Sequence, residues 1–158
     1  MPGMKIIFLD CDGVVSPFNR GMGGLFNKEH MLRLKKIMDA TGARIVLSSS
    51  WRVSEFGRGE VTKHLVANGM PTFIDCTPEL RDRSRSHEIL DWIEKNKEKY
   101  DICNFVALDD INLAASAPDK VFFAKHAVCT NSSIGLTDAD VTLAIQLLGD
   151  DNNISTAA

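Results

Sequence analysis

The sequence predicts an α/β fold on a parallel sheet, and three observations carry that prediction. Short apolar runs alternate with longer amphipathic stretches, as βα units require. Two of those runs end directly in acids, Leu9-Asp10-Cys11-Asp12 and Leu108-Asp109-Asp110, and open α/β sheets place their ligand-binding groups beyond the carboxyl ends of strands. The 158 residues, 44% of them hydrophobic, suffice for one sizeable core, and neither a repeat nor an interdomain linker interrupts them. One domain is expected over residues 1–148.

The elements follow in order. Lys5-Ile6-Ile7-Phe8-Leu9 is a buried-type first strand, and Gly13 lets the chain bend after it. Residues 13–26, rich in Gly and holding Pro17, Phe18 and Arg20, are too irregular for a helix and predict a flap over the strand ends. A helix then starts near Asn27, buries Met31, Leu34 and Met38, and closes at Gly42. Arg44-Ile45-Val46-Leu47 is the second strand. A helix near Gly59 to Asn68, stopped by Gly69-Met70-Pro71, leads to a third strand at Thr72-Phe73-Ile74. A helix from Ser86 to Lys99, anchored by Ile89 and Ile93 beside Trp92, precedes the fourth strand, Asn104-Phe105-Val106-Ala107-Leu108. Val121-Phe122-Phe123 is read as the fifth. Thr137 with Asp140 resembles a capping box opening a last helix, on which Val141, Ala144, Ile145 and Leu148 repeat at helical spacing. The small, polar tail from Gly149 is expected to be disordered.

No apolar run approaches the roughly 20 residues that span a bilayer, and the N-terminus lacks the pattern of a secretory leader, so a soluble, cytoplasmic protein is expected. Cys11, Cys76, Cys103 and Cys129 form no C-x-x-C pair, and reduced, buried thiols are the expectation. A formal net charge of -3 gives no global attraction to phosphate backbones.

The strand ends carry the chemistry. In extended backbone Asp10 and Asp12 project to one side while Cys11 turns away into packing. After the second strand, Ser48-Ser49-Ser50-Trp51-Arg52 offers hydroxyls and amides able to hold phosphate oxygens, although a Ser-rich helix cap has the same composition. Four carboxylates converging on one crevice would repel and rise in pKa unless a cation joins them. Their hard oxygens, with no His/Cys cluster beside them, point to Mg2+. One of Arg81, Arg83 and Arg85, which precede a helix, could reach a phosphate. His30, His64, His87 and His126 show no ligand spacing and read as surface or helical residues. Trp51 reads as an apolar anchor or a base-stacking ring, and Arg52 and Arg20 as candidate substrate contacts.

These motifs, in this order, resemble the haloacid dehalogenase-like (HAD) superfamily of aspartate-nucleophile phosphatases. Asp10-Cys11-Asp12-Gly13-Val14 is similar to its first motif, Ser48 to its second, a basic residue before the helix to its third and Asp109-Asp110 to its fourth. Arg85-Ser86-His87-Glu88-Ile89, Ser48-Ser49-Ser50-Trp51-Arg52 and Leu108-Asp109-Asp110 resemble a subgroup that includes the phosphatase-like domain of Swiss-army-knife RNA repair proteins. That resemblance implies a Rossmann-like three-layer sandwich with strand order 3-2-1-4-5 and, from the short intervals between motifs, no large cap domain. It implies Asp10 as nucleophile, Asp12 as general acid and base, and Ser48 and Arg85 as neutralisers of phosphoryl charge. Gly13, Ser49 and Arg52 would lie along the substrate, and Mg2+ would be held by Asp10, Asp109, Asp110 and the carbonyl of Asp12. The expected substrate is a phosphomonoester, with nucleotides or polynucleotide ends favoured by the subgroup and disfavoured by the acidic balance. Two other classes stay open: a receiver domain storing an aspartyl-phosphate, whose second acid pair would not follow the fourth strand, and a catalytically silent binding module.

Overall fold

The computed structural model describes residues 3–19, 21 and 23–149. Its sheet contains β1 (Met4–Leu9), β2 (Arg44–Leu47), β3 (Asp75–Cys76), β4 (Ile102–Asp109) and β5 (Ala127–Cys129), all parallel, in the order 3-2-1-4-5. Around it lie α1 (Lys28–Thr41), α2 (Glu55–Ala67), α3 (Arg85–Asn96), α4 (Lys120–Ala124) and α5 (Asp138–Gly149). Among the described residues no large cap is inserted between them.

Strand alternation builds the three layers. Ile7, Leu9, Ile45, Leu47, Val106 and Leu108 face one side and bury against Leu34 and Ile37 of α1, Leu65 of α2 and Ala144 of α5. Ile6, Phe8, Val46, Phe105 and Ala107 face the other and meet Ile89 and Trp92 of α3 and Phe123 of α4. Both faces of the central strands are therefore apolar, which is why they read as unbroken hydrophobic runs.

Helix ends follow local chemistry where the side chains supply it. The Asn27 side chain accepts the His30 amide at the start of α1, and Gly42, at φ 73, returns its amide to Met38 O. Thr137 and Asp140 cap α5 reciprocally, each side chain accepting the other's amide. Two strand expectations fail. The third strand is the edge pair Asp75–Cys76, not Thr72 to Ile74; Phe73 and Ile74 are half-buried and pack inward on the approach. Val121-Phe122-Phe123 is helical, because Asp119 accepts the Phe122 amide at 3.0 Å and starts α4; Phe123 buries while Val121 stays 72% exposed. Three apolar residues cannot separate the two periods, and a cap decides. Helix α2 begins at Glu55, before the expected Gly59, because Ser54 caps it despite Gly57 and Gly59; α3 ends at Asn96, short of Lys99.

Other expectations shift with burial. All four cysteines are free, but only Cys11 is buried, and Cys129 is exposed. His30 is a helical residue of α1, buried, whereas His126 is a core residue and neither helical nor on the surface: it stacks on Phe105 at 4.1 Å and hydrogen-bonds its carbonyl through Nδ1. No helix among the described residues is long and apolar enough to cross a membrane. Gly149, expected to open the disordered tail, instead ends α5, and the remainder of that tail lies outside the described residues, as do Arg20 and Met22 of the expected flap. The rest of that loop is pinned at Phe18 and Asn19, whose amides donate to the carbonyls of Ser132 and Ser133.

Candidate active site

The sheet register sets the site. Leu9 pairs with both Leu47 and Leu108, so the next residues, Asp10, Ser48 and Asp109, emerge side by side at the carboxyl edge. The ladder runs on through them: Asp10 N donates to Leu108 O at 3.0 Å, Ser48 N to Leu9 O at 2.8 Å and Thr130 N to Asp109 O at 2.9 Å. The strand order reverses between β1 and β4, which is where a crevice opens in such sheets. One carboxylate oxygen from each of Asp10, Asp109 and Asp110 lies within 4.8 Å of the others. Gly13, at φ 82, permits this approach, because a β-carbon there would overlap the Asp110 carboxylate. Thr130 ties the same loop to β5 by donating its hydroxyl to Gly13 O at 2.7 Å.

Arg85, first residue of α3, reaches into the cluster with Nη1 at 2.9 Å from Asp109 Oδ2 and 3.4 Å from Asp10 Oδ1. One guanidinium does not offset three carboxylates. Burial, then the neighbouring Asp109, pushes Asp10 up to about 9 against the pull of Arg85. Burial likewise raises Asp109, with Arg85 opposing. Ser48 adds a buried hydroxyl without a hydrogen-bond partner among the described residues. Hard oxygen donors crowded together with excess negative charge fit a hard divalent cation, and a phosphate oxygen would satisfy Ser48.

A family model matches residues 6–141, the HAD domain in Swiss Army Knife RNA repair proteins. The chain belongs to this family. The matched span contains every residue of the acidic cluster together with Ser48 and Arg85, so the HAD domain includes the whole crevice. No curated protein and no solved structure matches the chain significantly. The family points to a phosphatase-type hydrolase, of a kind that is generally metal-dependent.

The crevice also sorts the remaining candidates. Asp12 of the HAD domain is not one of the three clustered carboxylates: its Oδ1 accepts the indole N–H of Trp51 at 3.3 Å. Trp51, expected to be an anchor or a stacking ring, packs edge-on against Phe26 at 5.1 Å as an anchor, and its N–H also donates to Asp12. Nothing in the sequence paired these two residues, which lie 39 positions apart. Ser49 is fully buried, and its hydroxyl caps the following turn by accepting the Trp51 amide. The Arg52 guanidinium, expected to lie along the substrate, is turned inward and bonded to Ser49, Thr77, Pro78 and Glu88. Arg81 and Arg83 line a separate open hollow of about 690 Å³ with Glu79, His87 and Asp91, away from the carboxylates. Cys11 lies in the core, where burial pushes its thiol up.

Two predictions arise here. Because Asp10 is raised in the folded protein, metal-free stability declines as pH climbs from the unfolded carboxylate pKa towards about 9. A cation that needs the ionised carboxylates should offset that loss. The rise in Tm caused by Mg2+ is expected to grow between about pH 5 and about pH 8, and a pH-independent shift in calorimetry would contradict it. Second, Trp51→Phe keeps the ring and removes the N–H. It is expected to lower kcat for an aryl phosphate by about tenfold with little change in Tm, since Asp12 loses its orienting donor.

Proposed function

We propose that this HAD domain is a Mg2+-dependent phosphomonoester hydrolase that works through an aspartyl-phosphate on Asp10. The observation that carries the reading is the division of the first motif. Asp10 is drawn into a buried cluster with Asp109, Asp110 and Arg85, while Asp12, two residues on, is held by Trp51 outside it. Two carboxylates in different environments can take different roles.

Asp10 attacks phosphorus, forming an O–P bond as the bond to the leaving oxygen breaks. Asp12 delivers its proton to that oxygen, then takes one from the water that attacks the acyl phosphate, releasing inorganic phosphate and restoring Asp10. Ser48 donates to an equatorial oxygen and Arg85 balances its charge. Asp10, Asp109, Asp110 and the Asp12 carbonyl would hold Mg2+, which when bound relieves their repulsion and neutralises phosphoryl charge.

The family's place in RNA repair proteins and the absence of a large cap favour a bulky substrate, such as a nucleotide or the phosphorylated end of a polynucleotide. A panel of nucleotides, 3'- and 5'-phosphorylated oligonucleotides, sugar phosphates and phosphopeptides tests this. Turnover is expected to be fastest on nucleotides or oligonucleotide ends. Accumulation of a stable phosphoprotein without released phosphate would instead indicate a receiver-type phosphoacceptor.

A further inference from the structure

We propose that the buried ion pair Arg52–Glu88 is a positioning device for Arg85, fixing the first turn of α3 against the turn that follows β2. Arg52 donates through Nε to Thr77 O at 3.0 Å, through Nη1 to Ser49 O at 2.7 Å, and through Nη2 to Pro78 O at 3.3 Å and Glu88 Oε1 at 3.1 Å. The other Glu88 oxygen accepts the Leu80 amide at 2.9 Å. One guanidinium thus joins the turn after β2, the loop after β3 and α3.

Glu88 lies three residues after Arg85 on α3, so the two side chains share a helix face. Where Glu88 is held, Arg85 is held. Other ties at this helix end include Ser86 Oγ to Ser116 Oγ at 3.1 Å and the Ser84 cap, beside the apolar seat of Ile89 and Trp92. Apolar packing tolerates a small slide along the helix axis; a four-bonded guanidinium does not. A buried ion pair is a weak source of net stability, and directional bonding is what it adds here. Arg85 needs that direction, because its Nη1 must serve Asp10 and Asp109 together.

The activity arm of the test rests on the proposed phosphatase reading; the spectroscopic arm does not. Glu88→Gln is measured alone and in an Arg85→Ala background, with Arg52→Lys as a second variant. Alone, either substitution is expected to lower kcat for an aryl phosphate by about ten- to a hundredfold, with KM little changed. In the Arg85→Ala background the further loss should be no more than about twofold, since nothing remains to be positioned. In NMR spectra the Arg85 Nε–H signal, assigned by its disappearance in Arg85→Ala, should shift and broaden in Glu88→Gln. Equal losses in both backgrounds, or an unmoved Arg85 signal, would overturn the proposal. If the wild type turns over nothing in the panel, the phosphatase reading fails and the Arg85 signal alone decides the positioning role. Should Glu88→Gln not fold, the paired Arg52→Met and Glu88→Leu substitutions remove both charges together and are expected to give the same kcat loss and signal change.

Discussion

Asp10→Asn is expected to abolish Mg2+-dependent hydrolysis of an aryl phosphate, by about four orders of magnitude or more, because an amide cannot form the covalent intermediate. The same substitution should raise metal-free stability at alkaline pH. In the folded protein Asp10 titrates at about 9, held up by burial and by Asp109, so ionising it costs folding free energy throughout the range above the unfolded carboxylate pKa. Asparagine removes that cost and leaves Arg85 its 2.9 Å contact with Asp109. Tm without metal is therefore expected to exceed the wild type's near about pH 8 and to converge with it near about pH 4. The Mg2+-dependent rise in Tm should shrink as well, since one of three carboxylates is gone. Retained turnover would remove Asp10 as nucleophile. A lower metal-free Tm at alkaline pH would mean that the carboxylate cluster is not under electrostatic strain.

The parts of this arrangement legible in the sequence are those that one residue's neighbours dictate. β1, β2 and β4 are buried on both faces, so each is a continuous apolar run, and the polar residue that ends each run is at once the end of a strand and a member of the crevice. Asp10, Ser48 and Asp109 could be placed together because parallel register makes strand ends coincide. What stayed hidden depends on a partner far along the chain. The indole of Trp51 is apolar in any periodicity and becomes a donor only opposite Asp12. Arg52 reads as a loop cation until Glu88 and three carbonyls enclose it. The fifth strand is hidden because Phe122 and Phe123 carry a stronger β signal than Ala127-Val128-Cys129, and the Asp119 cap overrides it. Among the three arginines before α3, composition cannot choose. The fold does: Arg85 is on the helix and points at the acids, while Arg81 and Arg83 stay exposed on the preceding loop.

Arg85→Ala is expected to lower kcat by about a hundred- to a thousandfold, the usual cost of removing one preorganised charge from a phosphoryl-transfer site. Its effect on stability should have the opposite sign to that of Asp10→Asn. Arg85 is the cation that opposes the raised pKa values of Asp10 and Asp109, so its loss leaves two buried carboxylates facing each other unrelieved. Metal-free Tm should fall, and fall further as pH rises, because ionisation of the folded carboxylates becomes costlier still. Arg85→Lys should recover part of the stability, as a point charge still sits between the carboxylates, yet little of the rate, because an ammonium lacks the planar fork. The two substitutions therefore separate a property that activity alone would merge. Both silence the site, one by removing repulsion and the other by removing what balances it, and calorimetry at two pH values distinguishes them. If Arg85→Ala left metal-free Tm and its pH slope unchanged, the guanidinium would not be the group that holds the carboxylates together.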